Sequence, residues 1–233
     1  MNTQGNVYTF IYASVMVVVV AAVLAYTALS LKPLQTKNIE IDKKMQILKS
    51  AHIESTAENA EELYDKYIQR AFIVDSIGEI VSEDAKRAFY IDMKKEILKP
   101  LGEQELPVYE FSSKAGEVKY ILPVQGKGLW GAVWGYVSLN EDKNTIYGVY
   151  FSHKGETPGL GSEIDTPKFQ NQFKGKKIFQ NGQFTSIAIL KKGRKAIGQD
   201  AVDAISGGTI TSKGVEAMLK NCLQSYVEFL NQE

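Results

Sequence analysis

The chain reads as an α+β protein, with one N-terminal transmembrane helix followed by a single mixed α/β domain. Three observations predict this class. An uncharged apolar run near the N-terminus is long enough to cross a bilayer. Short β-branched and aromatic runs between turn residues fill the middle. A long amphipathic helical pattern closes the chain. Its 233 residues hold one domain of ordinary size and an accessory segment. The predicted order is a short tail (1–8), a membrane helix (9–31), a juxtamembrane helical segment (32–55) and the domain (56–233).

Residues 9–31 carry no charge over 23 positions. At helical rise they span roughly 35 Å, against a bilayer core of about 30 Å. Tyr8, Tyr12 and Tyr26 sit toward the ends, as interface aromatics do. A cleaved signal peptide is the competing reading. No Lys or Arg precedes the run, the run exceeds a typical signal core, and no small-x-small site lies near Lys32. An uncleaved anchor is therefore expected. Pro33 disfavours helix at Lys32 and is expected to end the span. Lys32, Lys37, Lys43 and Lys44 follow it, which by the positive-inside rule places the domain in the cytoplasm.

After the span, Ile41, Met45 and Leu48 recur at helical spacing. Ser55 and Glu58 have capping-box spacing and predict a helix with Ala60, Leu63, Tyr64, Tyr67, Ile68 and Ala71 on one face. Residues 72–74 and 79–81 read as strands around a turn, and 83–98 as helical or irregular. Residues 118–124, 132–139, 145–152 and 184–190 read as further strands. Residues 140–144 form a polar turn.

Composition narrows function. Lys+Arg and Asp+Glu number 27 each, which gives no electrostatic argument for nucleic acid. The single cysteine, Cys222, allows no intrachain disulfide and no cysteine-bound iron–sulfur cluster. His52 and His153 are the only histidines and have no zinc spacing, so each reads as structural or surface. No Ser-His-Asp set or Cys-His pair is apparent. A chain so poor in catalytic groups suits a cofactor that carries the reaction.

The most informative stretch is Asp203-Ala204-Ile205-Ser206-Gly207-Gly208-Thr209. Two glycines let a bulky anion approach the backbone. Ser212 is a candidate N-cap, and Val215, Met218, Leu219, Cys222, Tyr226, Phe229 and Leu230 follow at helical spacing. The turn thus feeds a helix N-terminus, where free N–H groups and the dipole favour a phosphate. Taken alone, such a turn reads as an ordinary entry to a packed helix.

Two further loops stand out. Gly126-Lys127-Gly128-Leu129-Trp130-Gly131 satisfies G-x-G-x-x-G. A dinucleotide site needs a helix next, whereas Ala132-Val133-Trp134-Gly135-Tyr136-Val137 is strand-like, so that reading is rejected. The sequence Glu156-Thr157-Pro158-Gly159-Leu160-Gly161 makes an irregular loop after a strand. On generic grounds Glu156 would be an exposed loop carboxylate, and Trp130 and Trp134 core residues.

These three loops, in their order along the chain, resemble a family of covalent-FMN proteins. It contains the C subunit of the sodium-translocating NADH:quinone reductase and the G subunit of the Rnf complex. The glycine stretch before Thr209 resembles the family's Asp-x-x-Ser/Thr-Gly-Ala-Thr flavinylation sequence, with Gly208 where Ala is usual. The resemblance implies FMN in phosphoester linkage to Thr209, with Ser206, Gly207 and Gly208 around it. Asp203 stands where a separate flavin transferase recognises the loop. By the same carry-over Leu129, Trp130 and Leu160 pack on the flavin ring, and Glu156 and Thr157 meet its polar side. Lys191 sits nearby, with Lys192 as competitor and a solvated pair as the plain alternative. Trp134 is better read as core.

The resemblance also implies other subunits of a membrane redox complex as partners. It implies anchoring in membrane lipid of the bacterial inner membrane, with the flavin domain on the outer side, against the charge rule. The segment Leu31-Lys32-Pro33-Leu34-Gln35-x-x-Asn38 tilts the expectation toward the C-subunit branch. The alternatives are the Rnf branch, or a membrane-tethered binding or assembly protein without redox activity.

Overall fold

In a computed structural model the described residues are 5–112 and 116–232. The chain divides into two units, Met1–Lys43 and Lys44–Glu233. Helix α1 runs over Asn6–Ser50. Its N-terminal part is long and apolar enough to cross a membrane, and its side chains are exposed to the surroundings. Pro33 lies inside this helix rather than ending it, which corrects the expectation. Proline removes one backbone hydrogen bond. Leu31, Lys32, Leu34 and Gln35 are good helix formers and carry the helix past it.

The second unit is built on a six-stranded antiparallel sheet in the order β2-β1-β3-β4-β5-β6. The strands are β1 (Ile68–Val74), β2 (Ile80–Ser82), β3 (Leu106–Ser112), β4 (Val118–Lys127), β5 (Ala132–Leu139) and β6 (Ile146–His153). Helices α2 (Ala60–Tyr67), α3 (Ala85–Tyr90) and α4 (Met93–Glu96) precede β3. After β6 come α5 (Pro167–Gln170), the β7 (Phe179–Gln180) and β8 (Gln183–Phe184) pair, and β9 (Ala188–Leu190) parallel to β10 (Ala201–Asp203). Helices α6 (Thr209–Ser225) and α7 (Val227–Leu230) end the chain.

Both faces of the sheet are buried, following the period of two along each strand. Phe72, Val108, Leu122, Val124 and Val137 point into one core with Val215, Met218, Leu219 and Leu223 of α6. Ala71, Ile73, Tyr109, Ile121 and Tyr136 point into the other, with Ile47, Leu48 and Ala51 at the end of α1 and Phe89 of α3. There Ser50 Oγ and Ser138 Oγ lie 2.9 Å apart, and the Trp134 indole N–H donates to Gln46 Oε1 at 3.1 Å.

Several expected boundaries move. The helix expected from Ser55 begins at Ala60, where Asn59 Oδ1, not Glu58, accepts the Thr56 N–H. It ends at Tyr67, because Ile68 and Ala71 pair with β3. Residues 83–98 form two short helices, capped by Asp84 and Asp92. The strand expected over 184–190 breaks at Ser186, whose φ is +58°. Strand β3 is not among the expected strands, because Pro107 interrupts its pattern. The β3–β4 pairing ends at Tyr109↔Ile121, and its register, continued, sets Pro107 opposite Pro123. The ladder stops before these two residues without N–H, and the Tyr226 hydroxyl donates to Pro107 O at 3.0 Å.

Candidate functional site

The site is the meeting point of three loops at one end of the sheet. The first closes the β4–β5 hairpin, where Gly128 N–H donates to Gly131 O at 2.8 Å. A strand follows it, as the rejection of the dinucleotide motif required. The second leaves β6 at His153 and runs to Gly161. The third, Ala204–Gly208, joins β10 to α6.

Glu156 ties them together. Its side chain is buried, which corrects the generic reading of an exposed carboxylate. Oε1 accepts the Trp130 N–H at 2.9 Å and the Gly131 N–H at 3.3 Å, and Oε2 accepts the Thr211 hydroxyl at 2.6 Å. Burial alone would raise this carboxyl. The Thr211 hydroxyl and the amides of Trp130, Gly131 and Leu129 outweigh it and hold the group below the usual range. Both oxygens are thus spent on protein donors, so any influence of Glu156 on a ligand passes through the loops it holds. Behind it, the Glu156 N–H donates to His153 Nδ1 at 3.0 Å. Gly161 makes the arrangement possible: a Cβ there would meet Thr211 Oγ1 at 2.5 Å and Glu156 Oε2 at 2.7 Å.

The glycine turn behaves as the sequence suggests, with one correction. Gly207 has φ +76°, and α6 begins at Thr209 with Gly208, not Ser212, at the N-cap. Ser212 is buried in the first turn, and its Oγ accepts the Ile205 N–H at 3.1 Å, pinning the loop to the helix. At Gly208 a Cβ would stand 2.9 Å from Ile205 Cγ2 and 3.2 Å from the Leu160 carbonyl carbon. The Leu160 side chain packs across Gly207. All seven apolar positions expected on this last helical stretch are buried. Burial pushes the Cys222 thiol up to about 11, although the Gln125 N–H opposes the rise.

Thr209 is exposed, and its hydroxyl has no hydrogen-bond partner among the described residues. It lines a cleft of about 290 Å³ together with Lys191, Arg194, Ser212 and Lys213. A second cleft of about 480 Å³ opens on the other side of the loop, lined by Gly159, Lys192, Asp203 and Ser206. So Lys191 shares the Thr209 cleft and Lys192 the neighbouring one. Asp203 is fixed by its backbone, whose N–H donates to Gln172 Oε1 at 2.9 Å. Leu129, Leu160 and Trp130 are exposed, Trp130 by 70 %. Trp130 is therefore not core, whereas Trp134 is half-buried on β5. Thr157 is exposed, and its carbonyl accepts from Leu160 N and Ser162 N. Sequence reasoning missed Thr211, Arg194 and Lys213; nothing in their local pattern separates them from ordinary helix and loop residues.

The three loops and nearly all of α6 fall within one segment of the chain that matches a known domain family, the FMN-binding domain. Residues 128–224 match the family of that description. The chain belongs to the family of the C subunit of the Na⁺-translocating NADH-quinone reductase. It is 32% identical over 216 residues to the protein from Vibrio parahaemolyticus, covering 85% of this chain and 83% of the relative. Against the Pasteurella multocida protein it is 34% identical over 218 residues, covering 85% and 82%. The crystal structure of the relative from Parabacteroides distasonis shares 49% identity with a TM-score of 0.81, covering 87% of this chain and 98% of that one. The structure of the Shewanella oneidensis protein, at 24% identity and a TM-score of 0.68 over 83% and 98%, shares the fold.

Proposed function

We propose that this chain is the electron-carrying subunit of a membrane Na⁺-translocating NADH:quinone reductase and holds FMN through a phosphoester to Thr209. The observation that carries the reading is the free Thr209 hydroxyl at the first position of α6. The unpaired amides of a first helical turn attract phosphate. The residues present fit the group. Ser206, Gly207 and Gly208 let it approach the backbone, Lys191 and Arg194 face the cleft, and Leu129, Trp130 and Leu160 offer apolar cover for a flat ring. Thr157 is exposed in the second loop and is proposed to meet the flavin's polar side, while Glu156 holds that loop to Thr211. When bound, FMN supplies the electron transfer, while the protein fixes its place and surroundings.

The remaining parts of the proposal rest on the family resemblance. NADH, quinone and sodium sites lie on other subunits, and a separate flavin transferase recognising Asp203 makes the bond. The apolar part of α1 anchors the chain in inner-membrane lipid, with the flavin domain on the outer side. A tethered cofactor there is not lost to dilution.

The test is expression of the full chain with its flavin transferase, followed by denaturing electrophoresis and ultraviolet illumination. A fluorescent wild-type band and a dark Thr209→Ala band are expected. A dark wild-type band beside a labelled control substrate would overturn the proposal.

A further inference from the structure

The loop between β9 and β10 carries Lys191, Lys192, Arg194 and Lys195, four cations in five residues of a chain with no net charge. All four are exposed, and none of their side chains has a partner among the described residues. The loop's one carboxylate, Asp200, sits at its base and accepts the Lys177 N–H at 2.7 Å. Ile197 is 100 % exposed, an uncovered apolar side chain beside the cations. The loop also borders the Thr209 cleft through Lys191 and Arg194, and the cleft lined by Asp203 and Ser206 through Lys192.

From this geometry we infer that the Lys191–Ile197 loop is a docking surface for an acidic face of a partner protein, and that it brings that partner to the Thr209 cleft. Four unpaired like charges repel one another within the isolated chain. An acidic partner face removes that repulsion, and Ile197 supplies the apolar contact that a polar rim surrounds at protein interfaces. Charge complementarity of this kind fixes register and speeds encounter more than it adds raw affinity. Its position favours a protein over a lipid surface. A lipid-binding patch has no need to border the cleft, whereas a partner that exchanges electrons must come close to it. The inference rests on the proposed function for that last step only.

The test uses the assembled complex carrying Lys195→Glu, a charge reversal that leaves Lys191, Lys192, Arg194 and Thr209 in place. Three readings are taken: flavin fluorescence on this chain's band, retention of the chain in the complex, and quinone-reductase turnover against ionic strength. Docking predicts a wild-type flavin signal with turnover or retention reduced roughly tenfold at low salt. The deficit should shrink as salt rises, because the new repulsion is screened while the wild type loses its attraction. A salt response identical to wild type would overturn the inference. So would loss of flavin from the variant band, which would assign the loop to cofactor loading. Reconstitution with phosphatidylcholine alone or with added phosphatidylglycerol separates the lipid source: a deficit confined to anionic vesicles also counts against a protein partner. A dark wild-type band with salt-sensitive retention would instead sink the flavin assignment and leave the docking surface standing.

Discussion

The Glu156 carboxylate holds the Thr211 hydroxyl at 2.6 Å, across 55 residues of chain and two positions past the candidate flavin acceptor Thr209. With its other oxygen on the Trp130 and Gly131 amides, it ties its own loop and the β4–β5 hairpin to the first turn of α6.

Glu156→Ala should therefore cost about 1–3 kcal/mol, because it leaves buried donors unpaired. Thermal unfolding of the wild type and variant measures the difference. Loading of flavin on Thr209 should fall as well, even though Thr209 itself is unchanged.

The same carboxylate gives a pH dependence with a defined sign. Its folded pKa lies below the ordinary value, so the unfolded chain binds the proton more readily. The stabilisation is present above an unfolded pKa of about 4.3 and is lost as pH falls through the folded pKa. Glu156→Gln should show a flatter stability profile than wild type in that acid range. Parallel profiles would remove Glu156 from the account.

Gly208→Ala places a Cβ 2.9 Å from Ile205 Cγ2. Overpacking of this kind costs about 1–3 kcal/mol where the neighbour cannot yield. Ile205→Leu removes the branch that obstructs it, so the double variant should recover most of the lost melting temperature. Equal losses in the single and double variants would locate the strain elsewhere.

Trp130 is largely exposed and is expected to matter to the cofactor rather than to the fold. Trp130→Ala should leave stability within about 0.5 kcal/mol of wild type. On the proposed function, in which the indole covers the ring, it should alter the flavin's fluorescence yield in the loaded protein.

Cys222 should resist thiol reagents in the native protein at neutral pH. Burial and the raised pKa both suppress the reactive thiolate. Mass spectrometry after alkylation should find it labelled only when denaturant is present.

The fold class and the local turns are legible in the sequence, and the long-range contacts are not. Glycine turns and the amphipathic run after Thr209 are local signals, and the structure keeps them almost residue for residue. Strand β3 is hidden because Pro107 lies just where pairing with β4 stops, a fact that depends on a neighbour 16 residues away. Pro33 misleads for the opposite reason, since its local cost is small beside a long run of helix formers. Glu156 cannot be read as buried from its own loop, because its partners come from the hairpin before it and the helix after it. Ser212 has the chemistry of a cap, yet the cap falls four residues earlier, at Gly208, which fills it without a side-chain bond.

The Thr209 turn is completed by α6, the last long helix of the chain. Until residues 209–225 have been synthesised and packed against β4, neither the Thr211 contact nor the Ser212 pin exists. A ribosome-bound or truncated chain that stops short of this helix presents the threonine, if at all, on a loose strand. On the proposed function, an enzyme that reads the folded turn acts only after α6 has packed, and loading of Thr209 then reports that this helix is in place.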